Sequence, residues 1–344
     1  MVTLNERNQG CLVGGAIGDA LGWPVEFLSL DEIKQKYGPQ GITNLERGRS
    51  NLVEITDDTQ MTIFTAEGIL RAENRGRNKG IAHIPSLVHR SYLRWLETQG
   101  VTSEVEKDGW IYSIKGLHTR RAPGNTCLSA LNTGKMGKVE EPINDSKGCG
   151  GVMRTAPIGL FYEKEQAFRL GCECAAITHG HPSGYLSAGA LSYIIAAIIE
   201  GLDIETVIEL ALAECEKYPS SDECSQLIKK AINLAKSDTP DLQAIESLGE
   251  GWVGEEALAV SIYCALKYQK NFEKAVITAV NHDGDSDSTG AITGNILGAY
   301  LCLNGIPQNW VREVELSNEL TQLADDLVQT YEDSKEWNEK YPGW

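Results

Sequence analysis

Apolar side chains recur along most of the chain at the spacing of three to four residues that predicts amphipathic helices. This period is clear over residues 204–217, 223–236 and 255–268, whereas residues 185–200 are apolar nearly all round, as in a helix buried within a bundle. Alternating patterns are scarce, and only short stretches such as residues 41–45 are considered as strands. The pattern predicts a single all-α domain over residues 1–344. Longer loops are expected at residues 38–53, 75–81 and 101–127.

The composition narrows the class of protein. Of 344 residues, 42% are apolar and 23% charged, which is typical of a globular chain. Asp and Glu number 48 against 31 Lys and Arg, so the net charge of −17 argues against binding to a nucleic-acid backbone or an anionic membrane. No apolar run reaches the roughly 20 residues of a membrane span, and the N-terminus lacks the plan of a signal peptide. Nine scattered cysteines without a CxxC pair favour a reduced, cytoplasmic chain.

The chain contains 35 glycines, and seven of them fall at regular intervals of four residues in two segments. A glycine inside a helix costs about 1 kcal/mol relative to alanine, so a repeated glycine needs a reason. A bare helix face lets another backbone approach closely, and close helix packing is the simplest interpretation. Two sets spaced four residues apart lie on single helix faces: Gly10, Gly14, Gly18 and Gly22, then Gly290, Gly294 and Gly298.

Each glycine stripe adjoins a cluster of carboxylates and hydroxyls. Thr56-Asp57-Asp58-Thr59 and residues 283–290 (DGDSDSTG) both suit a hard cation such as Mg²⁺. Both also suit a capped helix start, with acidic residues near the positive end of the helix dipole. The second cluster resembles the start of a calcium loop, but Ser288 and Gly294 occupy positions that need glycine and glutamate.

The two clusters together make a stronger prediction than either alone. They are far apart in sequence but share one chemistry, an Asp pair with hydroxyl neighbours at a helix N-terminus. If the two glycine-striped helices pack side by side, the clusters converge. Four converging carboxylates repel one another unless cations neutralise them. One or two Mg²⁺ ions would do so, and two would permit metal-assisted positioning of a substrate.

Glycine-rich backbone at residues 148–151 is a candidate phosphate contact, although it is not a Walker loop and also suits a tight turn. Residues 123–126 (PGNT) form a weaker candidate of the same kind. Cys149 is considered as a nucleophile only if His179 or His282 serves as its base. On pattern alone, a loop histidine such as His179 is more often a structural or surface residue than a ligand contact.

At this point five sequence blocks resemble the ADP-ribosylglycohydrolase family. They cover nearly the whole chain, and the first, second and fifth are specific in combination. The blocks are GCLVGGAIGDALGWPVEF (10–27), TDDTQM (56–61), GCGGVMRTAPIGL (148–160), ITHGHPSGYLSAGAL (177–191) and NHDGDSDSTGAITGNILGAY (281–300).

The resemblance implies a compact, orthogonal all-α fold with a site for two Mg²⁺ ions, or Mn²⁺ in their place. It implies that Glu26 corresponds to a mobile acidic residue and that Glu26 or Asp57 deprotonates the attacking water. Asp19 is interpreted as structural. The implied metal ligands are Thr56, Asp57, Asp58, Asp285, Asp287 and Ser288; the implied ADP-ribose contacts are Gly124, Asn125, Gly148, Cys149, Gly150, Gly151, Met153 and His179.

Two of these positions depart from the commonest family pattern. Ser288 stands where relatives often have threonine, and it keeps the hydroxyl. Cys149 stands where relatives often have asparagine or serine, so a strong hydrogen-bonding side chain is lost while backbone N–H donors remain.

The expected activity is hydrolysis of the bond between ADP-ribose and a protein side chain, with arginine as the expected acceptor. The expected partners are an ADP-ribosylated protein and ADP-ribose, and a monomer is expected. Three alternatives stay open at this stage: a Mg²⁺-dependent nucleotide phosphohydrolase, a non-catalytic ADP-ribose-binding protein, and an immunity protein that blocks an ADP-ribosylating toxin.

Overall fold

A computed structural model describes residues 3–48 and 50–343, and the prediction of an all-α fold is confirmed. Within those residues the only extended pairings are two isolated bridges, Val53–Val314 and Gly148–Val253. The helices of the first half are α1 (Leu4–Gly22), α2 (Leu30–Tyr37), α3 (Asp57–Lys79), α4 (Ile84–Thr98), α5 (Gly109–Ser113), α6 (Asn125–Asn132), α7 (Ala156–Phe161) and α8 (Lys164–Ala176).

The second half of the described chain continues with ten more helices around the same core. Short 3₁₀ segments at Trp23–Val25, Lys115–His118, Cys149–Gly151 and Leu303–Gly305 connect helices along the chain. The helices are α9 (Pro182–Ile199), α10 (Ile204–Cys215), α11 (Asp222–Ala235), α12 (Asp241–Leu248), α13 (Gly254–Lys267), α14 (Phe272–Val280), α15 (Ser286–Leu301), α16 (Gln308–Glu313), α17 (Ser317–Gln329) and α18 (Lys335–Lys340).

Four of these helices, α9, α10, α11 and α13, match the helices predicted from periodicity to within three residues at each end. The prediction for α9 as a buried helix is also confirmed, since nearly all of its residues are inside the core. It is long and apolar enough to cross a membrane, but 83% of it is buried in the protein, as for a core helix. The nine cysteines are all free thiols.

The prediction of a loop at residues 75–81 is wrong, because α3 continues to Lys79. An ion pair of 2.7 Å between Arg77 and Glu73 spans one turn of this segment. The helix ends at Gly80, whose φ of 75° is the left-handed conformation that stops a helix. Gly76 is tolerated inside the helix, where a Cβ would meet nothing closer than 4.0 Å.

The strand considered at residues 41–45 is also absent. The backbone of Ile42 bonds instead to one side chain: its N–H donates to Asn281 Oδ1 at 2.8 Å, and its carbonyl accepts from Asn281 Nδ2 at 2.8 Å. The expected loop at residues 101–127 is partly wrong, since it contains α5 and the start of α6. The segment 38–53 has no helix among its described residues.

The glycine seam between α1 and α15 explains the regular spacing. A Cβ atom added to Gly18 would lie 1.9 Å from the carbonyl oxygen of Gly290, far inside van der Waals contact. Equivalent approaches repeat along both helices, at Gly10 against Gly298 (2.2 Å) and Gly14 against Gly294 (2.5 Å). The two stripes therefore pack backbone against backbone, as the sequence predicted, and bring the N-terminus of α15 beside the C-terminus of α1.

Candidate active site

Two helix N-termini meet beside the end of the glycine seam. Gly22, the last residue of α1, is so close to α15 that a Cβ there would lie 2.3 Å from the Ser286 carbonyl oxygen. The N-terminus of α3 joins the same place, because Ser288 Oγ donates to Asp58 Oδ1 at 2.9 Å. The two acidic clusters therefore converge.

Asp19 positions the start of α3 from within α1. Its carboxylate accepts hydrogen bonds from the backbone N–H groups of Thr56 at 3.0 Å and Thr59 at 3.1 Å, and from the Thr59 hydroxyl at 2.5 Å. Asp19 is fully buried. Its pKa is raised to about 7, mainly by burial and to a smaller extent by the negative charge of Asp287. These contacts agree with its interpretation as a structural residue.

Both clusters cap helices, as one of the two interpretations predicted. Thr56 Oγ1 accepts from the Asp58 N–H at 3.3 Å at the start of α3. Asp285 accepts from the Ser288 N–H at 3.4 Å, and Asp287 accepts from the same N–H at 2.8 Å. Capping uses only part of each carboxylate, so helix initiation does not account for the number of acids gathered here.

The carboxylate cluster, defined as Glu26, Asp57, Asp58, Asp285 and Asp287, is at most 7% exposed at any member. Burial raises the pKa of each carboxyl, and repulsion from neighbouring carboxylates raises it further for every member except Asp287. The pKa of Glu26 reaches about 11. None of the ion pairs in the described part of the chain includes any of the five.

The cluster fits a hard cation. Carboxylate oxygens of Glu26, Asp285 and Asp287 all lie within 4.8 Å of one another. Glu26 Oε2 is buried without a hydrogen-bond partner among the described residues. Buried, mutually repelling oxygens with an unpaired acceptor are what a divalent ion stabilises. The geometry groups these three residues. Asp58, at the start of α3, is joined to the same site by its hydrogen bond from Ser288.

A cavity of about 390 Å³ opens onto the cluster. None of the described residues that line it carries a positive charge. Besides the five acids and Ser288, five residues predicted to contact ADP-ribose line its wall: Gly124, Asn125, Cys149, Gly150 and Met153. Gly124 N–H donates to Asp57 Oδ2 at 3.0 Å and so fixes one wall to the cluster.

Three other predicted ligand contacts do not line this cavity. Gly148 and Gly151 belong to the glycine loop but do not line the cavity, and His179 packs behind them, with a Cβ at Gly148 placed 3.4 Å from His179 Nε2. The loop itself is one turn of 3₁₀ helix at Cys149–Gly151, in line with the tight-turn interpretation.

His179 is held in one tautomer by its neighbours. Arg154, which can only donate, bonds to Thr178 Oγ1 at 2.6 Å, and Thr178 Oγ1 lies 2.8 Å from His179 Nδ1. We assign the Thr178 hydrogen to the bond with Nδ1 and the ring hydrogen to Nε2, which faces Gly148 and Gly150. Burial and Arg154 lower the pKa of His179 to about 3, so the ring is a neutral donor beneath the loop.

Neither histidine considered as a base for Cys149 is available to it, and the group beside its thiol is the Asp285 carboxyl. His179 is bonded to Thr178, and both nitrogens of His282 are engaged, by the Asp283 carbonyl at 2.9 Å and Thr289 Oγ1 at 3.0 Å. Burial raises the pKa of the Cys149 thiol well above its usual value. The thiol stays protonated and lines the cavity as a neutral group.

Two aromatic residues at the mouth of the cavity were missed by sequence reasoning. Phe27 and Trp252 line it, with ring centroids 6.1 Å apart and an interplanar angle of 20°. The available signals were the position of Phe27 directly after Glu26 and the glycines that flank Trp252 in GEGWVGEE. Neither signal reveals that the two rings meet.

Comparison with known proteins relates this chain to one protein family. A family model described as ADP-ribosylglycohydrolase matches residues 1–336. A protein of Archaeoglobus fulgidus is 30% identical over 95% of this chain and 98% of its own length. ADP-ribosylarginine hydrolase Tri1 of Serratia proteamaculans is 26% identical over 94% of this chain and 79% of its own length. A solved structure described as an ADP-ribosylglycohydrolase-related protein complex shares the fold, with a TM-score of 0.68, 24% identity, and coverage of 95% of this chain and 98% of that one.

Proposed function

The chain belongs to the ADP-ribosylglycohydrolase family, and from that premise we propose that it is a Mg²⁺-dependent hydrolase that removes ADP-ribose from modified arginine side chains. The observation that carries the proposal is the carboxylate cluster: five buried acids on a cavity with no cationic lining residue in the described structure. The arginine acceptor is supported by the name of the Serratia relative.

The proposed ion-holding groups are Thr56, Asp57, Asp58, Asp285, Asp287 and Ser288, with two Mg²⁺ ions, or Mn²⁺ in their place, as the proposed content. When bound, such ions neutralise the cluster and supply Lewis acidity toward the hydroxyls of the distal ribose. Mg²⁺ suits this donor set because it prefers carboxylate and hydroxyl oxygens.

The proposed hydrolysis needs a base beside the glycosidic carbon. Asp57 or Glu26 accepts a proton from water as the water oxygen attacks C1″ of the distal ribose. The bond from C1″ to the guanidine nitrogen breaks with oxocarbenium character at C1″, and the nitrogen keeps the electron pair and takes up a proton. Acidic groups on both sides of a glycosidic carbon serve this step in other glycosidases.

The proposed diphosphate site explains how an acidic protein binds an anionic ligand. The proposed local donors are the backbone N–H groups of Asn125 and Gly150, which line the cavity. The N–H groups of Gly124, Cys149 and Gly151 already donate to Asp57, Trp252 and Gly148. The neutral His179 ring adds Nε2–H beneath the second loop. These dipoles create a local positive field although the net charge is −17. We propose that the enzyme acts as a cytoplasmic, single-domain monomer.

The experiment is a panel of substrates carrying ADP-ribose on arginine, serine, cysteine or a nucleobase, with mass-spectrometric detection of the released product. The proposal predicts free ADP-ribose from the arginine-linked substrate. Release of phosphate instead would identify a phosphohydrolase, and ADP-ribose binding without turnover on any linkage would identify a binding protein. Binding to an ADP-ribosylating toxin that survives mutation of Asp285 would identify an immunity protein.

A further inference from the structure

The mouth of the cavity has an unusual apolar feature. The described residues leave few large apolar side chains exposed, and the only aromatic ones are Phe27, at 69%, and Trp252, at 40%. These two stack on each other at the cavity mouth instead of packing into the core. A paired, exposed aromatic surface beside a polar site is typical of a ligand contact.

The segments that carry the two rings are both joined to the carboxylate cluster through the backbone. The short 3₁₀ segment Trp23–Val25 is followed by Glu26, and Phe27 is the next residue in the chain. On the other side, the Glu250 carbonyl accepts from the Asp285 N–H at 2.8 Å, two residues before Trp252. The rings therefore line the same cavity as the carboxylates that are proposed to act on the glycosidic bond.

The segment that carries Trp252 is fixed from several directions. The Trp252 carbonyl accepts from the Cys149 N–H at 3.1 Å. Glu256 Oε2 accepts from the N–H groups of Glu250 at 3.1 Å and Gly251 at 3.2 Å. A Cβ at Gly251 would lie 2.9 Å from a methyl carbon of Thr289, so this backbone is held against α15. A rigid support of this kind holds the indole ring in place before any ligand arrives.

We propose that the Phe27–Trp252 ring pair is the acceptor subsite and that it takes the planar guanidinium group of the modified arginine. The proposal rests on the proposed function, since it assigns the leaving group of that reaction. Aromatic faces attract cations, and a guanidinium stacks flat on them as well. No positively charged described residue lines the cavity to oppose such a group.

The position of the rings separates this ligand from the other planar group of the substrate, adenine. Adenine lies at the opposite end of ADP-ribose, beyond the diphosphate, whereas the acceptor is bonded to the ribose carbon that the carboxylates address. A serine acceptor offers the rings neither a plane nor a charge. The ring pair is thus proposed as a specificity-determining surface for the acceptor.

The test compares Trp252→Leu and Phe27→Leu with Trp252→Phe, which keeps an aromatic face. Ile81→Ala is the matched control, because Ile81 is an equally exposed apolar side chain (70%) that does not line this cavity. Each protein is assayed for kcat/KM on an arginine-linked ADP-ribosyl peptide and for the Kd of ADP-ribose, which lacks the acceptor. Thermal unfolding checks that every variant folds.

The proposal predicts that each leucine variant lowers kcat/KM for the arginine-linked peptide about ten-fold, chiefly through KM, as for loss of a cation–π contact. The Kd of ADP-ribose should change less than about three-fold, and Trp252→Phe should recover most of the loss. If the affinity for ADP-ribose falls as much as kcat/KM does, the rings bind the nucleotide and not the acceptor. If both leucine variants keep wild-type kinetics, the rings bind no part of the substrate. Either result overturns the proposal.

A binding measurement keeps the subsite testable apart from activity. Butylguanidinium and the neutral, isosteric butylurea are titrated into the wild-type protein and the leucine variants by NMR. The wild-type protein should prefer the cation about five-fold or more, and the variants should lose that preference. Equal binding of both probes overturns the subsite, whereas a wild-type protein that releases no ADP-ribose from any linkage overturns the proposed function.

Discussion

The glycine seam and the carboxylate cluster are built on the same two helices but in opposite ways. Along the seam, backbone touches backbone, and a Cβ at Gly18 would lie 1.9 Å from Gly290 O. In the cluster a few residues away, five buried carboxyl groups that repel one another when ionised crowd together, and Glu26 Oε2 has no hydrogen-bond partner among the described residues. The packing of the seam is complete without a ligand, whereas the carboxylate cluster keeps repelling groups and an unpaired oxygen that a bound cation would stabilise.

The difference shows that the glycine seam stabilises the fold, whereas the carboxylate cluster lowers stability and prepares a site for a ligand. The seam places the first turn of α15 against the end of α1, and this closeness brings Asp285 and Asp287 beside Glu26. The unfavourable charge that results is what prepares the site for a cation. Substitutions in the two regions should therefore have opposite effects on the stability of the metal-free protein.

The largest effect is expected in the seam. Gly18→Ala places a Cβ against the Gly290 carbonyl and should lower the free energy of unfolding by at least about 3 kcal/mol, as for severe overpacking. Gly76→Ala is the control, because a Cβ there would meet nothing closer than 4.0 Å and removing a helical glycine should be neutral or stabilising. Urea denaturation measures both; equal stability of the two variants would contradict the packing account.

The next effect concerns the cation. Adding Mg²⁺ to chelator-treated protein at about one hundred times its dissociation constant should stabilise the fold by about 2.7 kcal/mol, because only the folded state brings the ligands together. The rise in melting temperature measures this stabilisation. The Asp57→Asn/Asp285→Asn double variant should show little of it. An equal rise in both proteins would place the ion elsewhere.

A smaller effect should appear with the sign opposite to that of the seam. Asp287 is a source of repulsion that raises the pKa of Glu26, Asp58 and Asp285. Asp287→Asn keeps the oxygen that accepts from the Ser288 N–H and removes the charge. In excess chelator it should raise the free energy of unfolding by about 1 kcal/mol, a typical size for relief of one buried like-charge contact. Lower stability in the chelator would contradict the repulsion account.

The smallest effect is expected behind the glycine loop. Thr178→Val removes the hydroxyl that fixes the His179 tautomer, and the affinity for ADP-ribose should fall about five-fold through loss of one oriented donor. Thr178→Ser keeps the hydroxyl and should bind as the wild type does. Calorimetric titration of ADP-ribose measures both, and equal affinities for the Val and Ser variants would remove His179 from the ligand site.

Sequence reasoning predicted the helices and the meeting of the two clusters because both depend on spacing. Glycines four residues apart at Gly14, Gly18 and Gly290 already specify a face that only another backbone can cover. Loop geometry depends on single side chains instead: Asn281 supplies the bonds that a strand partner would have given Ile42. Phe27 and Trp252 meet only through tertiary packing, so no periodicity in either segment indicates their contact.

The measurement that tests the central claim is release of ADP-ribose from an arginine-ADP-ribosylated protein by wild-type enzyme and by the Asp57→Asn/Asp285→Asn variant, each with Mg²⁺ and with excess EDTA. The account predicts release only by the wild-type enzyme with Mg²⁺, with a loss of at least about one hundred-fold in the other three conditions, as for removal of essential catalytic groups. Full activity in EDTA, or in the double variant, would contradict the claim that the carboxylate cluster is the catalytic centre.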